Sequence, residues 1–202
     1  MKLISITTPT YFVEEDQILT ALFEEGLDIL HLRKPNTSPV YAERLLTLIP
    51  EKFHNRIVVH DNFYLKDEYN LKGIHLNSRN PEAPTNYTGH ISASCHSFDD
   101  ILAKREETDF LFLSPIFDSI SKKGYQSAFT QEDLKEASEK GIIDKNIIAL
   151  GGINENNIEQ VKALNFGGVA LMGGLWSKFE PNSDFNYQEL IRHFKELKRL
   201  AE

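Results

Sequence analysis

The sequence predicts an α/β fold, a (β/α)8 TIM barrel over residues 1–202 as one domain with a degenerate fourth helix, on three observations. Eight short apolar segments recur along the chain, at residues 3–6, 29–32, 57–59, 73–76, 91–94, 110–113, 147–150 and 168–172. Several lack the in/out alternation of a half-exposed strand and read as buried on both faces, the pattern of parallel strands covered by helices. Helix-period segments lie between them, with no linker-like tract to divide the chain. A doubly wound dinucleotide fold would call for a glycine fingerprint after the first strand, and Thr7-Thr8-Pro9-Thr10 does not supply one.

The helices follow from spacing. Ala42, Leu45, Leu46 and Ile49 fall at i, i+3, i+4 and i+7, which places one apolar stripe against a sheet. The connection Asn80-Pro-Glu-Ala-Pro-Thr-Asn-Tyr-Thr-Gly carries two prolines, so the fourth helix is expected to be short or lost. Asn154 can cap a helix containing Ile158, Val161 and Leu164, with Ile153 and Ile158 spaced as a hydrophobic staple. Leu190, Ile191, Phe194 and Leu197 mark the last helix.

Composition narrows the function classes. A formal charge of −8 leaves no basic surplus for a nucleic-acid backbone or an anionic membrane. A small anionic ligand needs only a few converging cations and N–H groups, and a homo-oligomer is equally compatible with this composition. The single cysteine, Cys95, excludes an internal disulfide framework and makes the cytoplasm the default location. The N-terminal apolar run ends at Pro9, too short for a signal peptide, and no run is long enough to span a bilayer.

In a barrel the reactive groups sit just past the strands' carboxyl ends. Those positions are polar here: His31-Leu32-Arg33-Lys34, His60-Asp61-Asn62, His75 through Asn80, and Ser94-Cys95-His96. The last two strands end in Gly151-Gly152 and Gly173-Gly174, the two positions where barrels commonly hold a phosphate on backbone N–H groups. The segment Ser114-Pro-Ile-Phe-Asp-Ser-Ile-Ser-Lys-Lys-Gly-Tyr-Gln follows the sixth strand and offers Ser119, Ser121, Lys122 and Lys123. With Arg33 and Lys34 these lysines suggest four cations at one mouth, facing the glycine pairs as a second phosphate or diphosphate subsite. Asp61 suits either a hard cation such as Mg2+ or a helix N-cap. His31, His60, His75 and His96 stand at four consecutive strand ends. They lack a local ligand spacing such as His-x-x-x-His, which points away from zinc and toward the barrel wall. Cys95 and His96 are adjacent on a strand and so face opposite ways, against a nucleophilic pair.

With these residues assembled, the chain resembles the thiamine phosphate synthase and TenI superfamily of barrels over nearly its whole length. "HLRK" is similar to the family's strand-two motif, matching its phosphate-binding arginine with Arg33. "VHDN" resembles the strand-three "NDR" motif and places Asp61 as a Mg2+ ligand. "SASCHS" resembles "VSxHT" and places Ser94 at the substrate-contacting serine. "SPIFDSISKKGY" resembles the "GPxxxTxTK" loop, matching Ser119, Ser121 and Lys122 to its diphosphate contacts. "ALGGI" and "ALMGGLWS" resemble the thiazole phosphate motifs and assign Gly152, Gly173 and Gly174.

The resemblance implies condensation of hydroxymethylpyrimidine diphosphate with thiazole phosphate to thiamine phosphate and diphosphate. Arg33, Lys122 and Ser94 would be its catalytic residues, and Mg2+ would sit on Asp61 and Asn80. Two positions depart from the pattern. Where the synthases resemble "HxGQED" on strand four, "HLNSRN" puts the neutral Asn80 at the second metal ligand, beside Arg79. Arg33-Lys34-Pro35 also stands where many synthases have Arg-Glu-Lys. The TenI branch includes thiazole tautomerases; their histidine at the end of strand six is replaced here by Ser114, while Lys122-Lys123-Gly124 resembles that branch's "CKKG". A non-catalytic phosphate binder is the third reading.

Overall fold

The computed structural model describes residues 1–118, 127–177, 179 and 187–202. Eight parallel strands close a barrel in sequence order: β1 (Lys2–Ile6), β2 (Ile29–Leu32), β3 (Ile57–Val59), β4 (Gly73–Leu76), β5 (His90–Cys95), β6 (Phe110–Leu113), β7 (Ile147–Leu150) and β8 (Gly168–Leu171). β8 pairs back onto β1 with Val169 opposite Leu3, which closes the ring and leaves no open edge among these strands. Every predicted strand is present within a residue or so at either end.

The lack of alternation now has its cause, because each strand buries both faces. Ile4, Ile6, Ile29, Val58, Phe110, Phe112, Ile148 and Ala170 fill the barrel's interior. The intervening residues, among them Leu3, Leu30, Ile74, Leu111 and Val169, pack outward under the helices. The helices are α1 (Glu15–Glu24), α2 (Pro39–Leu48), α3 (Leu65–Glu68), α4 (Phe98–Lys104), α5 (Gln131–Glu139), α6 (Ile158–Ala163), α7 (Gly173–Trp176) and α8 (Gln188–Ala201).

Ala42, Leu45 and Leu46 form the buried stripe of α2, and Ile49 is buried just beyond its end. In α8, Leu190, Phe194 and Leu197 are buried as their spacing predicts. No helix lies between β4 and β5, where Pro81 and Pro84 withhold backbone donors; a cavity of about 620 Å³ lined by Ala83, Ala93, Asp100 and Lys104 opens there. Asn154 caps a turn rather than the helix itself. Its Oδ1 accepts from the Asn156 N–H at 2.8 Å, and α6 begins four residues later, at Ile158. Among the described residues, no helix is long and apolar enough to cross a membrane.

Candidate active site

Arg33 leaves the end of β2 with its backbone fixed. The Thr7 hydroxyl, just past β1, donates to the Arg33 carbonyl and accepts from the Arg33 N–H, both at 3.0 Å. The guanidinium is half-buried, and burial lowers its pKa, with the neighbouring charge of Arg79 adding to the shift and Asp61 opposing it. Two arginines and one carboxylate therefore share this side of the mouth.

Asp61 follows β3, and its carboxylate faces the loop after β4. Arg79 Nη2 lies 3.4 Å from both carboxylate oxygens, and Asn80 Nδ2 donates to Asp61 Oδ1 at 3.0 Å. Asn80 also donates to the His60 carbonyl at 3.0 Å, so one amide bridges the ends of β3 and β4. These partners, rather than a helix N-terminus, hold Asp61: α3 starts only at Leu65, after Tyr64. The fold thus brings together Asp61 and Asn80, the two residues assigned to the metal.

Lys34 is placed otherwise than the charge-cluster reading expects. Its ammonium is held in a buried ion pair with Glu15 Oε1 at 2.5 Å, also donates to the Thr10 carbonyl at 2.9 Å, and lies 4.6 Å from the centre of the Tyr11 ring. A side chain so fully engaged, 3% exposed, is not a free cation of the mouth. The sequence could not show this because Glu15 lies on a different βα unit.

Ser119, Ser121, Lys122, Lys123 and Gly124 lie outside the described residues. The neck of their loop is described: Asp118 Oδ1 accepts from the Ser127 N–H at 2.8 Å, and the Ser127 hydroxyl donates to the Ile116 carbonyl at 2.8 Å. That closure was missed in the sequence reading, although an aspartate and a serine flanking the segment were its signal. The loop base abuts the first glycine pair. A Cβ on Gly152, whose φ is +66°, would stand 2.4 Å from the Asp118 carbonyl oxygen. Glycine at 152 is therefore demanded by close packing of two neighbouring loops, whatever else its N–H serves.

Gly173 and Gly174 open α7, where backbone N–H groups have no preceding helical carbonyl to bond. Gly174 allows close approach too, since a Cβ there would meet the Ile153 oxygen at 2.0 Å. Two long-range bonds fix this short helix: Trp176 Nε1 donates to the Ile6 carbonyl at 2.8 Å, and His193 Nε2 of α8 donates to the Gly174 carbonyl at 2.8 Å.

The histidines separate into two groups. His96 is exposed and bonds the Ser114 carbonyl through Nδ1 at 2.9 Å, while Cys95 points into the outer core with burial pushing its thiol up to about 11. His31, His60 and His75 share the parity of Ile29, Val58 and Gly73 on their strands, and all three are buried in the barrel's interior. His31 Nδ1 and His60 Nε2 are 2.9 Å apart, and the His60 and His75 rings stack with centroids 4.2 Å apart. The Ser92 hydroxyl donates to the Ile74 carbonyl, so it accepts from His75 Nδ1; His75 Nε2 is then the acceptor for the Ser94 hydroxyl at 2.9 Å. Ser94 accordingly presents lone pairs, not its proton, to the mouth.

Burial, reinforced by the neighbouring positive groups, depresses all three histidines, His75 to about 3. An unfolded chain binds their protons below about pH 6.5 while the folded one resists. Stability is therefore complete above that pH and falls as pH drops toward the folded values, by up to about 1.4 kcal/mol per histidine per pH unit. Urea unfolding at pH 7.5 and 5.5 should show a loss of several kcal/mol; an unchanged midpoint would contradict the buried, neutral cluster.

The fold and these strand-end residues define a (β/α)8 barrel enzyme with its reactive mouth at the strands' carboxyl ends. The thiamine monophosphate synthase family model matches residues 3–175, and the chain belongs to that family. The thiamine-phosphate synthase of Clostridium tetani is 29% identical over 164 residues, covering 76% of each chain. The solved thiamine phosphate pyrophosphorylase from Bacteroides thetaiotaomicron is 56% identical, with a TM-score of 0.92 over 100% of this chain and 98% of that one. A thiamine phosphate pyrophosphorylase from Pyrococcus furiosus shares the fold at 18% identity, with a TM-score of 0.76 over 99% and 95% of the two chains.

Proposed function

We propose that this chain condenses hydroxymethylpyrimidine diphosphate with thiazole phosphate, giving thiamine phosphate and diphosphate, in the cytoplasm. The observation that carries the reading, within this family, is the grouping of Arg33, Arg79, Asp61 and Asn80 at one mouth. The carbon–oxygen bond to the diphosphate breaks, with its electron pair leaving on oxygen. The thiazole nitrogen's lone pair then forms the new carbon–nitrogen bond, and no redox partner is required. Such a reaction asks the protein for charge on the leaving oxygens, a placed nucleophile and shelter from water.

Arg33 and Lys122 supply charge to the diphosphate, with Ser119 and Ser121 as hydroxyl donors. Ser94, its proton held by His75, offers an acceptor to the pyrimidine's amino group. Gly152, Gly173 and Gly174 present N–H groups to the thiazole phosphate. Asp61 fits Mg2+ as a single hard carboxylate, partly exposed at the mouth, with substrate oxygens and water completing the shell. Asn80 now directs its Nδ2 at Asp61 and would have to present its amide oxygen to join; Arg79 already balances much of the carboxylate's charge. When bound, the cation would neutralise developing charge on the diphosphate.

Asn80→Asp should restore a second anionic ligand and lower the Mg2+ concentration for half-maximal activity by roughly 10-fold, read from a metal titration of the steady-state rate. An unchanged or higher requirement would remove Asn80 from the metal site. The function itself is tested by incubating the protein with both substrates and Mg2+ and assaying thiamine phosphate by chromatography. Interconversion of thiazole tautomers without coupling would replace this reading with a tautomerase, and thiazole phosphate binding without either reaction with a non-catalytic binder.

A further inference from the structure

We propose that His31, His60 and His75 form a binding site for a divalent transition-metal ion of the zinc, cobalt or nickel type, inside the barrel and separate in chemistry from the hard-cation position at Asp61. One ring nitrogen from each histidine lies within 4.8 Å of the others, and all three side chains are at least 96% buried. Imidazole nitrogen suits these borderline ions, whereas Mg2+ prefers oxygen. The proposal does not rest on the coupling reaction, although a bound ion would take from Ser94 the His75 nitrogen that holds its proton.

The protons in this cluster are few for the polar atoms present. His31 Nδ1 and His60 Nε2, 2.9 Å apart, share a single hydrogen bond, while His31 Nε2 is buried without a partner. In either tautomer one polar atom of His31 goes unsatisfied, so the protein alone does not complete the network. A cation between those two nitrogens takes a lone pair from each, so the shared proton moves to the other nitrogen of its own ring. Metal–nitrogen bonds of about 2.0–2.1 Å then place the pair about 3.3 Å apart, a widening of a few tenths of an ångström. His75 is already oriented for the same purpose: Ser92 fixes Nδ1 as the protonated nitrogen and leaves Nε2 as a lone pair. Metal-ligating histidines ordinarily have such an outer partner on the second nitrogen. Binding displaces the Ser94 hydrogen bond to His75 Nε2, and Ser94 or a molecule entering from the mouth takes the fourth position.

The walls favour a tight, dry site. Phe112 lies 4.7 Å from the His31 ring centre and 4.9 Å from that of His75, and Phe110 lies 5.8 Å from His31. Each histidine comes from a different strand, so closed-barrel register, not local sequence spacing, brings the donors together.

The test uses the full chain without a histidine tag, stripped with chelator and titrated with Co2+ and then Zn2+. The expected result is one equivalent of Co2+ with visible ligand-field bands, displaced by Zn2+ and unaffected by millimolar Mg2+. His31→Gln, His60→Asn and His75→Gln should each weaken binding by more than the roughly 10- to 100-fold that loss of an outer partner costs. His96→Ala should bind as the parent does. Should the core variants fail to fold, zinc-edge X-ray absorption of the unmodified protein decides, with three imidazole ligands expected. Absence of stoichiometric Co2+ binding, persistence of the bands in all three folded variants, or fewer than two imidazoles at the edge overturns the site.

Discussion

Arg33→Gln is expected to lower kcat/KM for thiamine phosphate formation by about two to three orders of magnitude, the usual cost of removing one preorganised donor from developing negative charge. The backbone at Arg33 is secured by Thr7 independently of its side chain, so the variant should fold and unfold like the parent. The loss should fall on kcat/KM with the diphosphate substrate varied, with thiazole phosphate binding little changed. Because Asp61 remains to hold the cation, some of the deficit should be recovered at high Mg2+. Steady-state kinetics with each substrate varied separately reads this directly. A loss under about fivefold would show that Arg33 does not meet the leaving group.

Lys34→Met carries the largest expected stability effect, about 3–5 kcal/mol. The substitution leaves Glu15, 2% exposed at its side chain, without its cation, and Glu15 Oε2 already has no partner. Replacing both members, Lys34→Met with Glu15→Leu, should recover most of the loss, since a buried ion pair contributes far less than breaking it costs. Urea unfolding of the two variants separates the outcomes. A single-variant loss below about 1 kcal/mol would mean that the pair is not buried as described. The Lys34 ammonium also ties the segment after β1 to the segment after β2 by donating to the Thr10 carbonyl, so activity should fall in Lys34→Met although its charge is spent on Glu15.

The strands were legible because the barrel buries both of their faces, and a continuous apolar run is what such burial requires. The arginine, aspartate and asparagine of the mouth were legible for a related reason: parallel register puts every strand's carboxyl end at one rim. Lys34 was not, because its partner Glu15 belongs to another βα unit. That three of the histidines meet inside the barrel was not legible from local ligand spacing. Local ligand spacing describes donors on one helix, whereas a barrel collects one donor per strand, and the parity shared by Ile29 with His31 and by Val58 with His60 was the available signal. Two capping boxes, Ser97 with Asp100 and Thr130 with Asp133, were also readable as serine or threonine three residues before an aspartate. Gly152 shows the converse: a residue chosen for phosphate binding has a sufficient reason in packing against Asp118.

The most direct test of the account is a single-turnover reaction with protein in excess, both substrates and Mg2+, following diphosphate and thiamine phosphate together. The two products are expected one-to-one with the same rate constant, and Arg33→Gln should slow both equally. Diphosphate released without thiamine phosphate, or neither product while both substrates remain bound, would contradict it.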